Sequence, residues 1–254
     1  MSLRTKFNNV QLSDTGRVRE HNEDAVGTNG DAGLLVLADG MGGYNAGDVA
    51  SWIAVRTVME LVPPACEREA RNATDPDTSL MRQTIILRDA IARANRVIHQ
   101  TAQMQPQCEG MGTTIVACLF YDNRVSIAHV GDSRLYRFRR NRFEQLTMDH
   151  SLLQELVDRG FYSQEEAARS TNRNYVTRAL GVEATVQVEV QELEVQEGDV
   201  YLLCSDGLWS ALPDAVITAV LAGRPISDSV PELVEQALRQ AGPKSDNVTA
   251  LAVE

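Results

Sequence analysis

The sequence predicts an α+β fold in which antiparallel sheets pack on one another and helices cover them from outside. Three observations point there. Two long stretches, 46–62 and 79–101, repeat apolar residues at helical spacing. The middle of the chain, 113–146, is a succession of short apolar runs cut by turn dipeptides. Strand-like and helical runs return after residue 186 and end in a last apolar run at 248–253.

In chain order, Leu34–Ala38 reads as a buried strand. Ala46–Val62 reads as a helix with Val49, Ala50, Ile53, Ala54, Val58 and Leu61 recurring, and Pro63-Pro64 is expected to stop it. Arg68–Thr78 is polar and reads as a loop. Ser79–Thr101 follows as an amphipathic helix lined by Leu80, Ile85, Leu87, Ile91, Ala94 and Ile98. Thr113–Tyr121, Val125–Val130 and Arg134–Arg139 read as successive strands, punctuated at Asp122-Asn123 and Gly131-Asp132-Ser133. Arg142–Leu146 adds a strand after a turn at Arg140-Asn141. Ser151–Ala168 is helix-like and broken at Gly160, and a polar segment, Arg169–Tyr175, follows as an expected mobile loop. Strands are expected at Val186–Leu193 and Val200–Ser205, helices at Pro213–Leu221 and Ser229–Gln240, and a closing strand at Val248–Val253.

Composition narrows the function classes. The 254 residues, 43% hydrophobic, suit one large globular domain or two small ones. A formal net charge of −11 argues against a general nucleic-acid binder, since phosphate backbones favour basic faces. Lys6 and Lys244 are the only lysines, so the basic residues are nearly all arginine. Cys66, Cys108, Cys118 and Cys204 form no CxxC pair, which reads as a reducing compartment without disulfides. Met1–Val10 lacks the apolar core of a signal peptide, and no run approaches the roughly 18 apolar residues of a membrane span. A cytoplasmic protein free of the membrane is expected.

The chemistry sits in the carboxylates. The apolar run before Asp39 ends in "ADGMGG", and Asp206-Gly207 ends a second run in "LLCSDGLW". Gly131-Asp132 ends a third in "AHVGDSR", Asp246 precedes the last strand in "SDNVT", and Glu23-Asp24 lie upstream in "REHNEDA". Any one Asp-Gly is an ordinary turn signal. Several carboxylates at strand ends are different, because strand ends converge in a packed sheet and clustered buried carboxylates require cations. Oxygen ligands without His or Cys point to Mg²⁺ or Mn²⁺ rather than zinc. Glycine beside Asp39 lets a backbone carbonyl approach the same ion.

With these stretches and "GMGTT" (110–114) and "LTMDHS" (146–151), the sequence resembles the metal-dependent protein phosphatases of the PP2C (PPM) family in their compact bacterial form. The motifs occur in family order across nearly the whole chain. The resemblance implies a single domain over 1–254, built as a central β-sandwich of two antiparallel sheets with helices on both outer faces. It also implies a helical flap at about 150–181.

The resemblance also implies roles. Asp39 would bridge two metal ions, with Gly40 giving its carbonyl oxygen. Asp206 and Asp246 would complete the first metal's shell, and Glu23 and Asp24 would hold the second directly or through water. Asp132, with Asp206, would hold a weaker third ion. Arg19 would grip the substrate phosphate with its planar fork. Two Mn²⁺ or Mg²⁺ ions would acidify a bridging water for in-line attack on phosphoserine or phosphothreonine. The partners implied are phosphoprotein substrates and an opposing Ser/Thr kinase, with a monomer as the default state. Relatives place a histidine at the positions of Met41 or Tyr44, so the leaving-group proton must come from elsewhere. Water held on the Asp132 side is the preferred source and His21 the second.

Simpler readings stand beside these. His129 reads as a packed strand residue, His99 as a solvated helix residue, and His150 as structural. "RFRRNRF" (137–143) reads as a solvated hairpin tip. Cys204 lacks the phosphate loop and arginine of a cysteine phosphatase. Two rival functions are a regulatory protein with a decayed metal site, and a metal hydrolase of small phosphate esters.

Overall fold

The computed structural model describes residues 7–42, 46–69, 73–163, 166 and 175–254. Its strands in chain order are β1 (Asn9–Asp14), β2 (Asp24–Asn29), β3 (Leu34–Met41), β4 (Gly112–Thr113), β5 (Ile115–Tyr121), β6 (Arg124–Val130), β7 (Arg134–Arg139), β8 (Arg142–Gln145), β9 (Glu189–Glu194), β10 (Val200–Cys204) and β11 (Val248–Val253). The helices are α1 (Gly47–Cys66), α2 (Arg82–Met104), α3 (Leu152–Asp158), α4 (Asp206–Trp209), α5 (Asp214–Gly223) and α6 (Ile226–Ala241).

All strand pairs are antiparallel. One sheet runs β1-β11-β10-β7-β8 and the other β2-β3-β5-β6-β9, with β4 added to the end of β3. Three apolar layers explain why the sheets stack. Leu35, Leu37, Val116, Cys118 and Ile127 of one sheet meet Leu135, Tyr201, Leu203 and Leu251 of the other. On the outer faces, Leu34, Val36 and Ala38 pack against α1 and α2, while Leu202, Ala250 and Ala252 pack against α5 and α6. β3 is therefore buried on both faces, which is why its sequence is an unbroken apolar run rather than an alternation. The α+β sandwich with helices outside is what the sequence predicts. No helix among the described residues is long and apolar enough to cross a membrane.

Several boundaries differ from expectation for local reasons. α1 passes through Pro63 and Pro64 to Cys66, and the Glu67 N–H still closes on the Pro63 carbonyl at 3.1 Å. The two prolines forfeit two helical donors but sit in the last turn, where φ near −65° still fits. α2 starts at Arg82 rather than Ser79. The Asp75 carboxylate caps a turn through the Thr78 N–H at 3.0 Å, and Ser79 takes φ +61°, which no helix admits. The expected strand 113–121 is split at Thr114, whose N–H goes to the Asp39 carbonyl instead of the ladder. α3 ends at Asp158, before Gly160 at φ +74°. β9 begins only at Glu189 and runs to Glu194. The turn at Arg140-Asn141 is present, with both residues at positive φ. The expectations for Tyr44 and for the polar segment up to residue 174 fall outside the described residues.

β1 and β2 have no sequence-based prediction. Each is an edge strand, and neither has a fully apolar face to announce it.

Candidate metal centre

The acids gather at one end of the sandwich because the pleat continues past the last apolar residue. On the inner face of β3, Leu35 and Leu37 are followed by Asp39. Asp24, directly across the ladder on β2, faces the same way. Ser205 follows Tyr201 and Leu203 of β10, and Thr249 precedes Leu251 and Val253 of β11. The two sheets thus end in a polar layer where carboxylates from one face hydroxyls from the other. Asp24 Oδ2 accepts from Ser205 Oγ at 2.8 Å and from Thr249 Oγ1 at 2.6 Å.

Asp39 is clamped by its backbone. Its N–H donates to Thr114 Oγ1 at 3.1 Å, and its carbonyl accepts from the Thr114 N–H at 2.8 Å and Thr113 Oγ1 at 2.9 Å. Ser133 Oγ holds Thr114 Oγ1 at 2.7 Å. Gly40 follows where no side chain fits: a Cβ there would lie 2.2 Å from the Gly47 carbonyl oxygen and 2.6 Å from that of Glu23. The Gly40 N–H donates to the Glu23 carbonyl at 3.1 Å, tying this turn to the upstream acids. Asn247 fixes the Glu23 loop from the other sheet, accepting the Glu23 N–H at 2.9 Å and donating to the Thr15 carbonyl at 2.8 Å.

Asp206 opens α4, and Asp246 lies two residues before the start of β11. Arg19 spans the rim. Its Nε and Nη2 form a fork on Asp246 at 2.8 and 3.1 Å, and its Nη1 lies 3.4 Å from Glu23. Asp246 holds the guanidinium more firmly protonated than usual, against the cost of its partial burial. Asp132 is 3% exposed. Its carbonyl accepts from Trp209 Nε1 at 3.0 Å, Arg134 lies 3.6 Å from the Trp209 ring centre, and Arg134 is paired with Asp149 at 2.7 Å.

Electrostatics mark the cluster. Burial, then the charges of Asp24, Asp206, Asp132 and Asp246, push the Asp39 carboxyl well above the usual range. Burial pushes Asp24 and Asp132 up to about 6, and burial with the Asp132 and Asp246 charges pushes Asp206 up to about 7. Glu23 is raised by burial although Arg19 opposes it. Asp24 Oδ1 is buried without any hydrogen-bond partner. Among the described residues, no three His, Cys, Asp or Glu side chains already form a finished ligand shell. The donors are hard oxygens, one of them orphaned, and this set fits Mg²⁺ or Mn²⁺ in type.

All eight residues singled out from the sequence (Arg19, Glu23, Asp24, Asp39, Gly40, Asp132, Asp206 and Asp246) lie at this end. Sequence reasoning gave no role to Thr114, Ser205, Thr249, Asn247, Trp209 or the Arg134–Asp149 pair. Each lies inside a quoted motif, but small hydroxyls and amides are ordinary turn residues until the fold shows what they hold. His21 is exposed, and Met41 ends β3 beside a cleft formed with residues 176–187. His129 is packed as expected, with Nε2 2.8 Å from the Met148 carbonyl. His99 is not simply solvated, since its Nδ1 meets the Gly181 carbonyl at 3.0 Å.

A model of the protein phosphatase 2C family matches residues 16–245. The chain belongs to this family. Among protein phosphatase 2C relatives it is 38% identical to "Serine/threonine phosphatase stp" of Listeria welshimeri over 249 residues, covering 95% of this chain and 93% of that one. The crystal structure of the Mycobacterium tuberculosis serine/threonine phosphatase PstP/Ppp superposes with a TM-score of 0.86 at 36% identity, over 98% of both chains. The catalytic domain of PstP in complex with 2 manganese ions gives 0.82 at 37% identity, over 98% of this chain and 97% of that one. The sandwich is the protein phosphatase 2C fold.

Proposed function

We propose that this protein phosphatase 2C hydrolyses phosphoserine and phosphothreonine in proteins, using Mn²⁺ or Mg²⁺. The observation that carries the reading is the ring of buried carboxylates around Asp39, drawn from both sheets and including an oxygen with no partner. Asp39 would be shared between two ions and Gly40 would give its carbonyl oxygen, Asp206 and Asp246 would complete one shell, Glu23 and Asp24 would hold the second directly or through water, and Asp132 with Asp206 a weaker third. Two such ions, when bound, supply an acidified water nucleophile and offset the phosphate charge.

The chain's own groups do the rest. Arg19 presents a fork at the rim, half exposed, and its present carboxylate partners can hand it to two oxygens of a phosphate. Thr113 and Thr114 hold the Asp39 backbone, so its carboxylate need not reorganise during the reaction. Met41 has no proton to offer the leaving alkoxide, so that proton is placed on the Asp132 side of the centre, with His21 second.

We also propose that residues 1–254 act as one catalytic domain, with 150–181 as the flap beside the site. The enzyme would work as a cytoplasmic monomer that opposes a Ser/Thr kinase. A decayed regulatory protein would have lost acids, and here the full set is present. The test is hydrolysis of phosphothreonine peptides, p-nitrophenyl phosphate and nucleotides with Mn²⁺ and with a chelator. Peptide hydrolysis that the chelator abolishes is expected. Full activity in chelator overturns the reading, and a strong preference for nucleotides points to the small-ester hydrolase.

A further inference from the structure

The opening turns of α1 carry a stripe that the chemistry above does not use. Asp48, Trp52 and Arg56 recur at i, i+4 and i+8, along one face of the helix. Trp52 is 53% exposed, an unusual position for a large aromatic side chain. Together with Asn22 and Asp24 at the start of β2, Asp48 and Trp52 line a cleft of about 480 Å³. β2 is the edge strand of its sheet, so no further strand of the sheet closes this side. The cleft lies beside the candidate metal centre: a Cβ at Gly47, the residue before Asp48, would lie 2.5 Å from Glu23 Oε1, and the exposed indole follows one helical turn on.

Its charge is one-sided. Both titratable lining groups, Asp24 and Asp48, are acids. The nearest cation, Arg56, sits 4.8 Å from the centre of the Trp52 ring, so the ring already serves as a cation platform. Arg56 is neutralised by Glu60 at 2.6 Å. Among the described residues, no other cation lies over Trp52. An acid and an indole four residues apart on one helix face suit a long cationic side chain: the aromatic face takes the stem and charge, and the carboxylate takes the head.

We infer that the Asp48–Trp52 cleft is a specificity subsite that binds an arginine or lysine of the substrate polypeptide close to the phosphorylated residue. The inference rests on the protein phosphatase reading and adds a substrate class to it, phosphoproteins with a basic residue beside the phosphosite. The test uses a phosphothreonine peptide in an alanine background, with a single arginine or glutamate moved through the flanking positions. At one flanking position arginine should raise kcat/KM about three- to tenfold over alanine, and glutamate should lower it. Trp52→Ala and Asp48→Asn should each remove most of that gain, and Trp52→Phe should restore part of it. Hydrolysis of p-nitrophenyl phosphate, which reaches only the metal centre, should stay within about twofold in all three variants. No arginine preference at any position overturns the inference, as does a preference that survives both variants. An equal loss on p-nitrophenyl phosphate overturns it too, by assigning the stripe a structural role. Absence of p-nitrophenyl phosphate hydrolysis in the native protein would instead sink the phosphatase reading.

Discussion

Asp39 sits one pleat beyond Leu37, at the point where an apolar sandwich gives way to charge. Four other carboxylates raise its proton affinity, so the position is costly without a cation. Asp39→Asn should therefore cut turnover by about a hundredfold or more while leaving circular dichroism unchanged. Without divalent metal the variant's Tm should equal or exceed the native value, because a repelled charge is gone. A variant that unfolds, or one that stays active, would contradict this assignment. His150 offers a second residue-scale test outside the ligand set. Its Nδ1 accepts the Gly131 N–H at 3.0 Å, and its ring stacks on His129 with centroids 4.8 Å apart. Burial, then the His129 and Arg178 charges, push its pKa down to about 4 against the opposing pull of Glu189. A histidine depressed on folding contributes stability at neutral pH that is lost as pH falls from about 6.5 towards 4, because the unfolded chain takes up the proton first. The contribution is about 3 kcal/mol at most. His150→Asn, which keeps an acceptor for Gly131, should narrow its stability gap to the native protein across that window in urea titrations. Parallel curves would show that His150 does not set the acid limit.

At the scale of elements, the site depends on loops that approach more closely than side chains allow. Gly207 lies in α4, where alanine would ordinarily be the better helix former. A Cβ there would lie 2.0 Å from the Asn247 carbonyl oxygen, on the segment that carries Asp246 and grips the Glu23 loop. Gly207→Ala should thus destabilise by about 1–3 kcal/mol and weaken Mn²⁺ binding. Gly223→Ala, at the end of α5 with nothing within 4 Å, should be neutral or stabilising. Thermal melts of the two variants separate crowding from helix propensity, and equal melts would remove the steric argument. The same contrast explains what the sequence could reveal. Runs buried on both faces, such as β3 and β5, declare themselves in the sequence because every residue is apolar. Edge strands β1 and β2 do not, because none of their residues is fully buried and their short polar sequences show no apolar run. The acids were legible as ends of apolar runs. Thr114, Ser205 and Asn247 were not, since their worth comes from contacts across more than 40 residues of sequence. Local signals also misplaced the end of α1, where tertiary packing of Val58 and Val62 carries the helix through two prolines.

At the scale of the molecule, the candidate metal centre is a seam between the sheets. Asp24 and Asp39 come from one sheet, and Asp206 and Asp246 from loops that join strands of the other. Without cations the seam is held by the Asp24 bonds to Ser205 and Thr249 and by the Arg19 fork, against the mutual repulsion of the acids. A cation bound there joins both halves of the sandwich and binds only the folded chain, so its affinity is linked to global stability. At a concentration about 100 times its dissociation constant, Mn²⁺ should stabilise by about 2.7 kcal/mol. For a chain of this length that is a Tm rise of roughly 5–10 °C. The rise should grow as pH climbs through about 6 to 7, where the Asp24, Asp132 and Asp206 carboxyls give up their protons. It should shrink sharply in Asp39→Asn, on one side of the seam, and in Asp206→Asn and Asp246→Asn, on the other. Scanning fluorimetry across a Mn²⁺ series, with a chelator as baseline, reads this directly. An unchanged Tm in the native protein, or an equal rise in all three variants, would place the cation elsewhere than between the sheets.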